Sequence, residues 1–295
     1  MLPAGGRRPA EKEERRNVAG ITAADVKALR DQTGAGMMDC KRALSEAEGD
    51  LKRANELLRE RGLAKAGKRE GRATSEGVIA TAIDAGVGAM VEVGCETDFV
   101  ARTDNFIAIG EKLAGAVAAD ASLTTADALL EASVDGKKVA DLVTEAIATL
   151  GENVVVKKVA RIDVAGVVGG YVHAGGKLGV IVGLTTSDSG ADALAKDVAM
   201  HIAAADPTPV AVTRDAVASG LLDSERAIYA AQAKQEGKPE KVIEKIVEGK
   251  VNKYVSQICL VEQPFVKDPD KTVGDVLGDA TVTAFHRFKL GEASE

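Results

Sequence analysis

The stretch GVIATAIDAGVGAMVEV, residues 77–93, decides the fold that we predict for this chain. Its β-branched runs lie on either side of an Asp-Ala-Gly turn, which is the pattern of a β-hairpin. Residues 166–184, GVVGGYVHAGGKLGVIVGL, repeat this hairpin, and each copy is followed by an acidic junction and a helical pattern. The sequence therefore predicts an internal duplication. We expect an α+β fold whose core consists of two related subdomains, each an antiparallel sheet covered on one face by helices.

Composition shifts divide the rest of the chain. Residues 1–20 are polar and have no apolar period, which is typical of disorder. The third predicted helix, LKRANELLRERG, should end at Gly62 and carry Leu51, Ala54, Leu57 and Leu58 on one face. The predicted segments are a disordered extension over 1–20, a three-helix docking domain over 21–62, a linker over 63–76, a first core subdomain over 77–164, and a second over 165–295 with a helical hairpin over 215–258.

Composition also limits the class of protein. No apolar run approaches the roughly 20 residues of a membrane span, and the first residues lack the apolar stretch of a secretory signal. We therefore expect a cytoplasmic protein with no membrane partner. The cysteines Cys40, Cys95 and Cys259 are far apart and odd in number, so we interpret them as buried hydrophobic residues rather than as a disulfide framework or a zinc site.

The net charge of −7 is unevenly distributed. Residues 1–72 hold 17 Lys or Arg against 12 Asp or Glu, whereas residues 73–295 hold 21 against 33. The basic front indicates either an acidic partner surface or helices with solvated Lys and Arg faces. An acidic body with few aromatic residues gives little support to nucleic-acid binding. We therefore expect no direct nucleic-acid partner.

No catalytic, cofactor or metal motif is present in the sequence. The segment GLAKAGKR, residues 62–69, approaches a phosphate-binding loop, but Arg69 stands where the motif needs Ser or Thr, and a helix precedes it. The histidines have no spacing that builds a metal site. His201 fits a core or edge position, and His173 lies at the second hairpin turn. The sequence predicts neither an enzyme nor a cofactor.

The most informative short stretch is CETDFVAR, residues 95–102. Asp98 is expected to cap a helix by accepting backbone N–H bonds. Phe99 then has two interpretations. It either packs into the core on the face of Phe106, seven residues later, or it points outward as an anchor for another protein's pocket.

The sequence resembles a known family, bacterial elongation factor Ts. The resemblance lies in TGAGMMDCKRAL at 33–44, ETDFVAR at 96–102 and GKPEKVIEKIVEGKVNKY at 237–254, in the same order, and extends over about residues 21–291. It implies a ubiquitin-associated-like helical domain, a core of two related α+β subdomains, and a helical hairpin. Gly94 departs from the family pattern, which commonly has Asn there, and this change could loosen the junction that holds Phe99.

The resemblance also implies a function. Members of the family are guanine-nucleotide exchange factors for elongation factor Tu, the GTPase that brings aminoacyl-tRNA to the ribosome, and they have no active site of their own. Phe99 would wedge beside the second switch helix of that GTPase and disturb its magnesium site. The residues that would contact elongation factor Tu, in its GDP-bound and nucleotide-free forms, are Thr97, Asp98, Phe99, Val100, His173, Lys27, Arg30, Met37 and Met38.

Two further points stay open at the level of sequence. Met37 and Met38 could pack in the core instead of forming a docking surface. A helical binding module with an RNA or ubiquitin-like partner is the alternative function, supported by the basic front of the chain. A monomer, a homodimer and a 2:2 complex with the partner are all compatible with the resemblance.

Overall fold

The computed structural model describes residues 21–69, 71–173, 175–186 and 190–292. The disordered extension predicted over 1–20 lies outside these residues. The chain divides into two compact units. The first lies within Met1–Gly71 and Thr144–Gly151, and the second comprises Arg72–Val143 and Glu152–Glu295.

The first unit contains the three predicted helices, α1 (Ala23–Thr33), α2 (Met37–Glu46) and α3 (Leu51–Gly67). A capping box between Thr22 and Asp25 begins α1. Gly34 ends this helix in the left-handed region, with a φ of 65° that favours glycine. The helices enclose a small apolar core that comprises Val26, Leu29, Cys40, Ala43, Leu44, Ala47 and Ala54.

Two expectations for the third helix are wrong. Helix α3 continues past Gly62 to Gly67, so the segment predicted as a linker begins inside a helix. Gly62 instead allows α3 to pass close to Ala148, because a Cβ at Gly62 would lie only 3.1 Å from the Cβ of Ala148. Leu51 is 38% exposed and does not join the core, whereas Ala54, Leu57 and Leu58 do.

The remaining elements alternate between sheet and helix. In chain order they are β1 (Glu76–Asp84), β2 (Val87–Cys95), α4 (Asp98–Ala101), α5 (Asp104–Ala119), α6 (Ala126–Glu131), β3 (Ser133–Val134), β4 (Lys137–Lys138), α7 (Val139–Leu150), β5 (Val154–Asp163), β6 (Val167–Val172), β7 (Leu178–Thr185), α8 (Ala191–Ala204), α9 (Ser219–Gln235), α10 (Glu240–Ile258), β8 (Pro264–Phe265), β9 (Asp268–Thr272), α11 (Val273–Leu277) and β10 (Thr281–Lys289).

The duplication predicted from the two hairpins is confirmed in the second unit, and the fold is α+β. The first sheet has the antiparallel order β1-β2-β5, and α5 packs on it. The second has the antiparallel order β10-β7-β6, and α8 packs on it. Strand β10, the last strand of the chain's described part, completes the second sheet. Gly169 on β6 permits this packing, because a Cβ there would overlap the backbone of Ala195 on α8.

The two sheets share a core. One apolar cluster contains Ile79 and Met90 from the first sheet together with Val168 and Ile181 from the second. Apolar residues at period two along paired strands produce this buried face. Cys95 and Cys259 in this unit, like Cys40 in the first, are buried free thiols, which confirms the interpretation of the cysteines.

The predicted helical hairpin is confirmed as α9 and α10, which pack against each other. The first helix begins at Ser219, since a short 3-10 turn occupies Arg214–Ala216. The two-stranded ribbon of β8 and β9 was not predicted. Within the described ranges, no helix combines the length and apolar composition that crossing a membrane requires.

His201 on α8 is buried, as expected, and both ring nitrogens have partners. Its Nδ1 accepts the N–H of Val266 at 3.2 Å, so its Nε2 carries the proton and donates to Oε1 of Gln263 at 3.0 Å. The amide of Gln263 donates in turn to the carbonyls of Pro207 and Gln257. This network joins α8 to the end of α10, and burial lowers the pKa of His201 below its ordinary value.

We predict that protonation of His201 makes the fold less stable in mild acid. The folded state disfavours the imidazolium, so the unfolded chain binds the proton first, and the free energy of unfolding falls below about pH 6.5 by at most about 1.4 kcal/mol per pH unit. Urea titrations at several pH values should show this loss, and His201→Gln should reduce it, leaving the part that His286 contributes, since burial lowers the pKa of His286 as well. The control is His173→Gln at the exposed hairpin turn, which should keep the loss; an unchanged acid response in His201→Gln would contradict this assignment.

Candidate functional site

Phe99 lies on the four-residue helix α4, between the end of β2 and the start of α5. Its exposed fraction is 81%, higher than that of any other exposed large hydrophobic residue in the described chain. Phe106, one element later, is fully buried. The core interpretation of Phe99 is therefore wrong, and the interpretation as an outward anchor agrees with the geometry. The seven-residue spacing predicts a shared face only within one continuous helix, whereas Phe99 lies on α4 and Phe106 lies on α5.

One cap and one ion pair fix the short helix. Thr97, not Asp98, is its N-cap, and the Thr97 hydroxyl accepts the N–H of Val100 at 3.4 Å. Asp98 is the first residue of the helix, and its carboxylate pairs with Arg102 at 3.0 Å. The expectation that Asp98 caps the helix is thus corrected by one residue. Because Ala101 is buried on the opposite side, Phe99 must face solvent.

The junction before the helix is held by residues that the sequence did not indicate. Glu152, between α7 and β5, accepts hydrogen bonds from the backbone of Glu96 and Thr97. Asn153 donates its backbone N–H to the carboxylate of Glu96 at 2.7 Å. Neither residue belongs to a periodic pattern or a motif, so only the tertiary structure reveals these contacts.

Cys95 closes β2 just before this junction. Burial, followed by the negative charge of Glu152, raises the pKa of its thiol to about 11, so the thiol is protonated at neutral pH. It donates to the carbonyl of Thr97 at 3.2 Å. The side chain of Lys157 crosses Gly94, and a Cβ there would lie 2.5 Å from Lys157 Cε. Lys157 therefore fills the space that a larger residue at this position would need.

His173 is exposed at the turn of the second hairpin, as expected. Its Nδ1 lies 2.8 Å from the hydroxyl of Tyr171. The same turn is fixed to β1, because the N–H of Ile79 donates to Gly176 at 2.7 Å and Lys177 pairs with Glu76 at 2.7 Å. Glu76 on β1 also lies opposite Cys95 on β2 in the register of the first hairpin. The structure thus anchors the His173 turn to the end of the first sheet that bears the Phe99 junction.

The other predicted site residues lie in the first unit. An open groove of about 760 Å³ runs beside α1 and α2. Met37 and Met38 are 58% and 68% exposed, so the alternative that they pack in the core is wrong. Cationic side chains flank these soft apolar ones, an arrangement that suits an adaptable protein-binding surface. The lining includes Val26, Lys27, Arg30, Met37, Met38 and Lys41.

Among the residues that the structure describes, no group of three or more His, Cys, Asp or Glu side chains could hold an ion. The exposed aromatic residue on a rigid junction is instead the type of anchor by which proteins bind one another. Fold and site together define a candidate protein-binding factor.

Comparison with known proteins gives the family. A family model described as Elongation factor TS matches residues 96–292. Elongation factor Ts of Chromobacterium violaceum is 46% identical over 280 residues, which are 94% of this chain and 94% of that protein. Elongation factor Ts of Micrococcus luteus is 45% identical over 281 residues, 93% of this chain and all of that protein. The chain belongs to the elongation factor Ts family.

We predict that Phe99 contributes little to folding. Because its ring is exposed, Phe99→Ala should change the free energy of unfolding by no more than about 0.5 kcal/mol. Phe106→Ala is the matched variant, and the loss of a fully buried ring should cost about 3–5 kcal/mol. Chemical denaturation of both variants tests this contrast, and a large loss in Phe99→Ala would show that the ring packs against the fold.

Proposed function

We propose that this protein promotes GDP release from elongation factor Tu by binding its GDP-bound and nucleotide-free forms, without catalysing a chemical step itself. The observation that carries the proposal is the solvent-exposed Phe99 on its capped junction. Membership of the elongation factor Ts family supports it. In this proposal the ring of Phe99 wedges beside the second switch helix of the GTPase and disturbs its magnesium site.

The free energy gained by burying one phenyl ring limits how far the wedge can weaken nucleotide binding. Burying a phenyl side chain yields roughly 1.5–3 kcal/mol. Since about 1.4 kcal/mol corresponds to a tenfold change in an equilibrium constant, the ring can weaken nucleotide binding by about tenfold to a hundredfold. The effect must be reciprocal, so bound GDP weakens the affinity of the factor to the same extent. Other contacts must therefore hold the factor in place.

We assign these contacts to two groups of residues. Thr97, Asp98 and Val100 surround the wedge, and His173 contacts the same partner from the neighbouring turn. The groove in the first unit docks the partner through the set Lys27, Arg30, Met37 and Met38. Its cationic rim favours an acidic partner surface and a fast, salt-sensitive association.

The basic groove also favours a second candidate, a module that binds RNA or a ubiquitin-like protein. RNA retention that weakens steeply with salt would support it. Under the main proposal, nucleotide release depends on Phe99, which lies outside this groove. The effect of Phe99 on release therefore separates the two functions.

Release of a fluorescent GDP from elongation factor Tu tests the proposal. The wild-type protein should accelerate release, and Phe99→Ala should lower the maximal rate by about tenfold to a hundredfold, because the wedge is lost. Val210→Ala, which trims another exposed apolar side chain, should leave the rate unchanged. No acceleration by the wild type would overturn the function, and full acceleration by Phe99→Ala would overturn the wedge.

The docking groove gives a different expected signature. The double substitution Met37→Ser with Met38→Ser removes exposed apolar contacts without touching the wedge. It should raise the concentration of factor that gives half-maximal release by about tenfold, while the rate at saturation stays close to that of the wild type. A lower rate at saturation with an unchanged half-maximal concentration would contradict a docking role for these residues.

A further inference from the structure

Glu152 makes an unusually complete set of contacts with the segment that precedes Phe99. Its Oε2 accepts the backbone N–H groups of Glu96 at 3.0 Å and of Thr97 at 2.9 Å. Its Oε1 accepts the hydroxyl of Thr97 at 2.5 Å. Three donors on two consecutive residues thus converge on one carboxylate. Hydrogen bonds to an ionised acceptor are roughly twice as strong as neutral ones.

The contact is reciprocal. The carboxylate of Glu96 contacts the loop that contains Glu152, where its Oε1 accepts the N–H of Asn153 at 2.7 Å. The side-chain amide of Asn153, which is buried, donates to the carbonyl of Arg72 at 3.0 Å. Each loop therefore satisfies the backbone of the other through a carboxylate, and we call Glu96, Thr97, Glu152 and Asn153 the junction clamp.

The position of the junction clamp explains why it exists. Strands β2 and β5 pair in antiparallel register up to Cys95 and Val154, and the strand pairing ends there. The backbone groups of the next residues can no longer pair with each other, although a partly buried N–H needs an acceptor. The two carboxylates extend the ladder by one further step. The extension ends at Thr97, the N-cap of the helix that bears Phe99.

The clamp also sets the direction of the cap. The Thr97 hydroxyl gives its only proton to Glu152, so its lone pairs are left to accept the N–H of Val100. This arrangement fixes the Thr97 side chain and therefore the first turn of α4. A helix of four residues cannot maintain its own orientation, since helix formation has a costly nucleus. The direction of Phe99 thus depends on contacts made outside α4.

We propose that Glu152 is a positioning residue for nucleotide exchange, which holds the Phe99 junction in its binding-competent geometry before the partner arrives. This inference rests on the proposed function, because it assumes that Phe99 acts on the partner. Glu152 acts through Thr97 and does not itself supply a contact. Preorganisation of this kind raises the yield of productive complexes without adding contact area.

The test uses the full-length chain with Glu152→Gln, which keeps the size of the side chain. The amide retains one oxygen, but its NH₂ group faces donors and cannot accept from them. Glu131→Gln is the matched control, because Glu131 is exposed on α6, pairs with Lys138 at 2.9 Å, and loses the same charge. A second variant, Glu96→Gln, weakens the other half of the clamp.

Amide hydrogen exchange of the free protein tests the clamp independently of any function. In Glu152→Gln the amides of Glu96 and Thr97 should exchange about tenfold faster or more, because they lose a charged acceptor. The amide of Val91, within the β2 ladder, should be unaffected, as should every amide of the junction in Glu131→Gln. Unchanged protection at Glu96 and Thr97 would overturn the proposal even if nucleotide release fell.

A double-mutant cycle on GDP release tests the positioning role. Glu152→Gln should lower the maximal release rate by about tenfold, with Glu96→Gln changing in the same direction. In the Phe99→Ala background, Glu152→Gln should have no further effect, since there is no wedge left to position. An equal loss in both backgrounds would mean that Glu152 contacts the partner directly or only stabilises the fold, and would overturn the proposal.

These measurements distinguish a failure of the proposed function from a failure of the positioning role of Glu152. If the wild type does not accelerate release, the proposed function fails, and with it the role of Glu152 in exchange. If the wild type is active and Phe99→Ala is not, while Glu152→Gln has full activity, only the positioning role fails. Thermal unfolding of each variant provides the control for stability, because a merely structural role would lower the midpoint and would not depend on Phe99.

Discussion

The structure around the candidate site depends on one constraint: the ladder between β2 and β5 ends at Cys95 and Val154, and the chain must leave the sheet there with its polar groups satisfied. Strand β2 is central in its sheet and almost wholly buried, so its end is fixed. Side-chain carboxylates replace the missing strand partners. An apolar ring two residues beyond Thr97 is thereby kept in solvent, where burial would otherwise be favoured by roughly 1.5–3 kcal/mol.

Much of the fold could be predicted from the sequence because it rests on local, periodic signals. The Asp-Ala-Gly turn and the runs around it determine the first hairpin, and the repeat of that pattern indicates the second sheet. The spacing of Ala54, Leu57 and Leu58 indicated the third helix of the first unit and its apolar face. The exposed turn at His173 and the buried ring of His201 also followed from their contexts. In each case the neighbours in sequence largely decide the environment.

The rest depends on contacts between residues distant in sequence. Gly62 was expected to end a helix, but it lies inside α3, where its lack of a side chain allows a close approach to Ala148. The exposure of Phe99 was not decided by spacing, since a break between α4 and α5 changes the face on which it lies. The contacts of Glu152 join residues more than fifty positions apart, and no pattern in one sequence indicates such a pair. Long-range polar contacts were therefore the part that sequence reasoning missed.

The most direct test of the central claim is a photo-crosslinking measurement with elongation factor Tu. A benzophenone amino acid would replace Phe99, and in a second preparation it would replace the exposed Ile83 on the first hairpin. The account predicts a crosslink from position 99 to the GTPase domain that weakens when excess GDP is added, because nucleotide and wedge oppose each other. A crosslink from position 83 alone, or none from position 99, would contradict the claim that Phe99 acts on the partner.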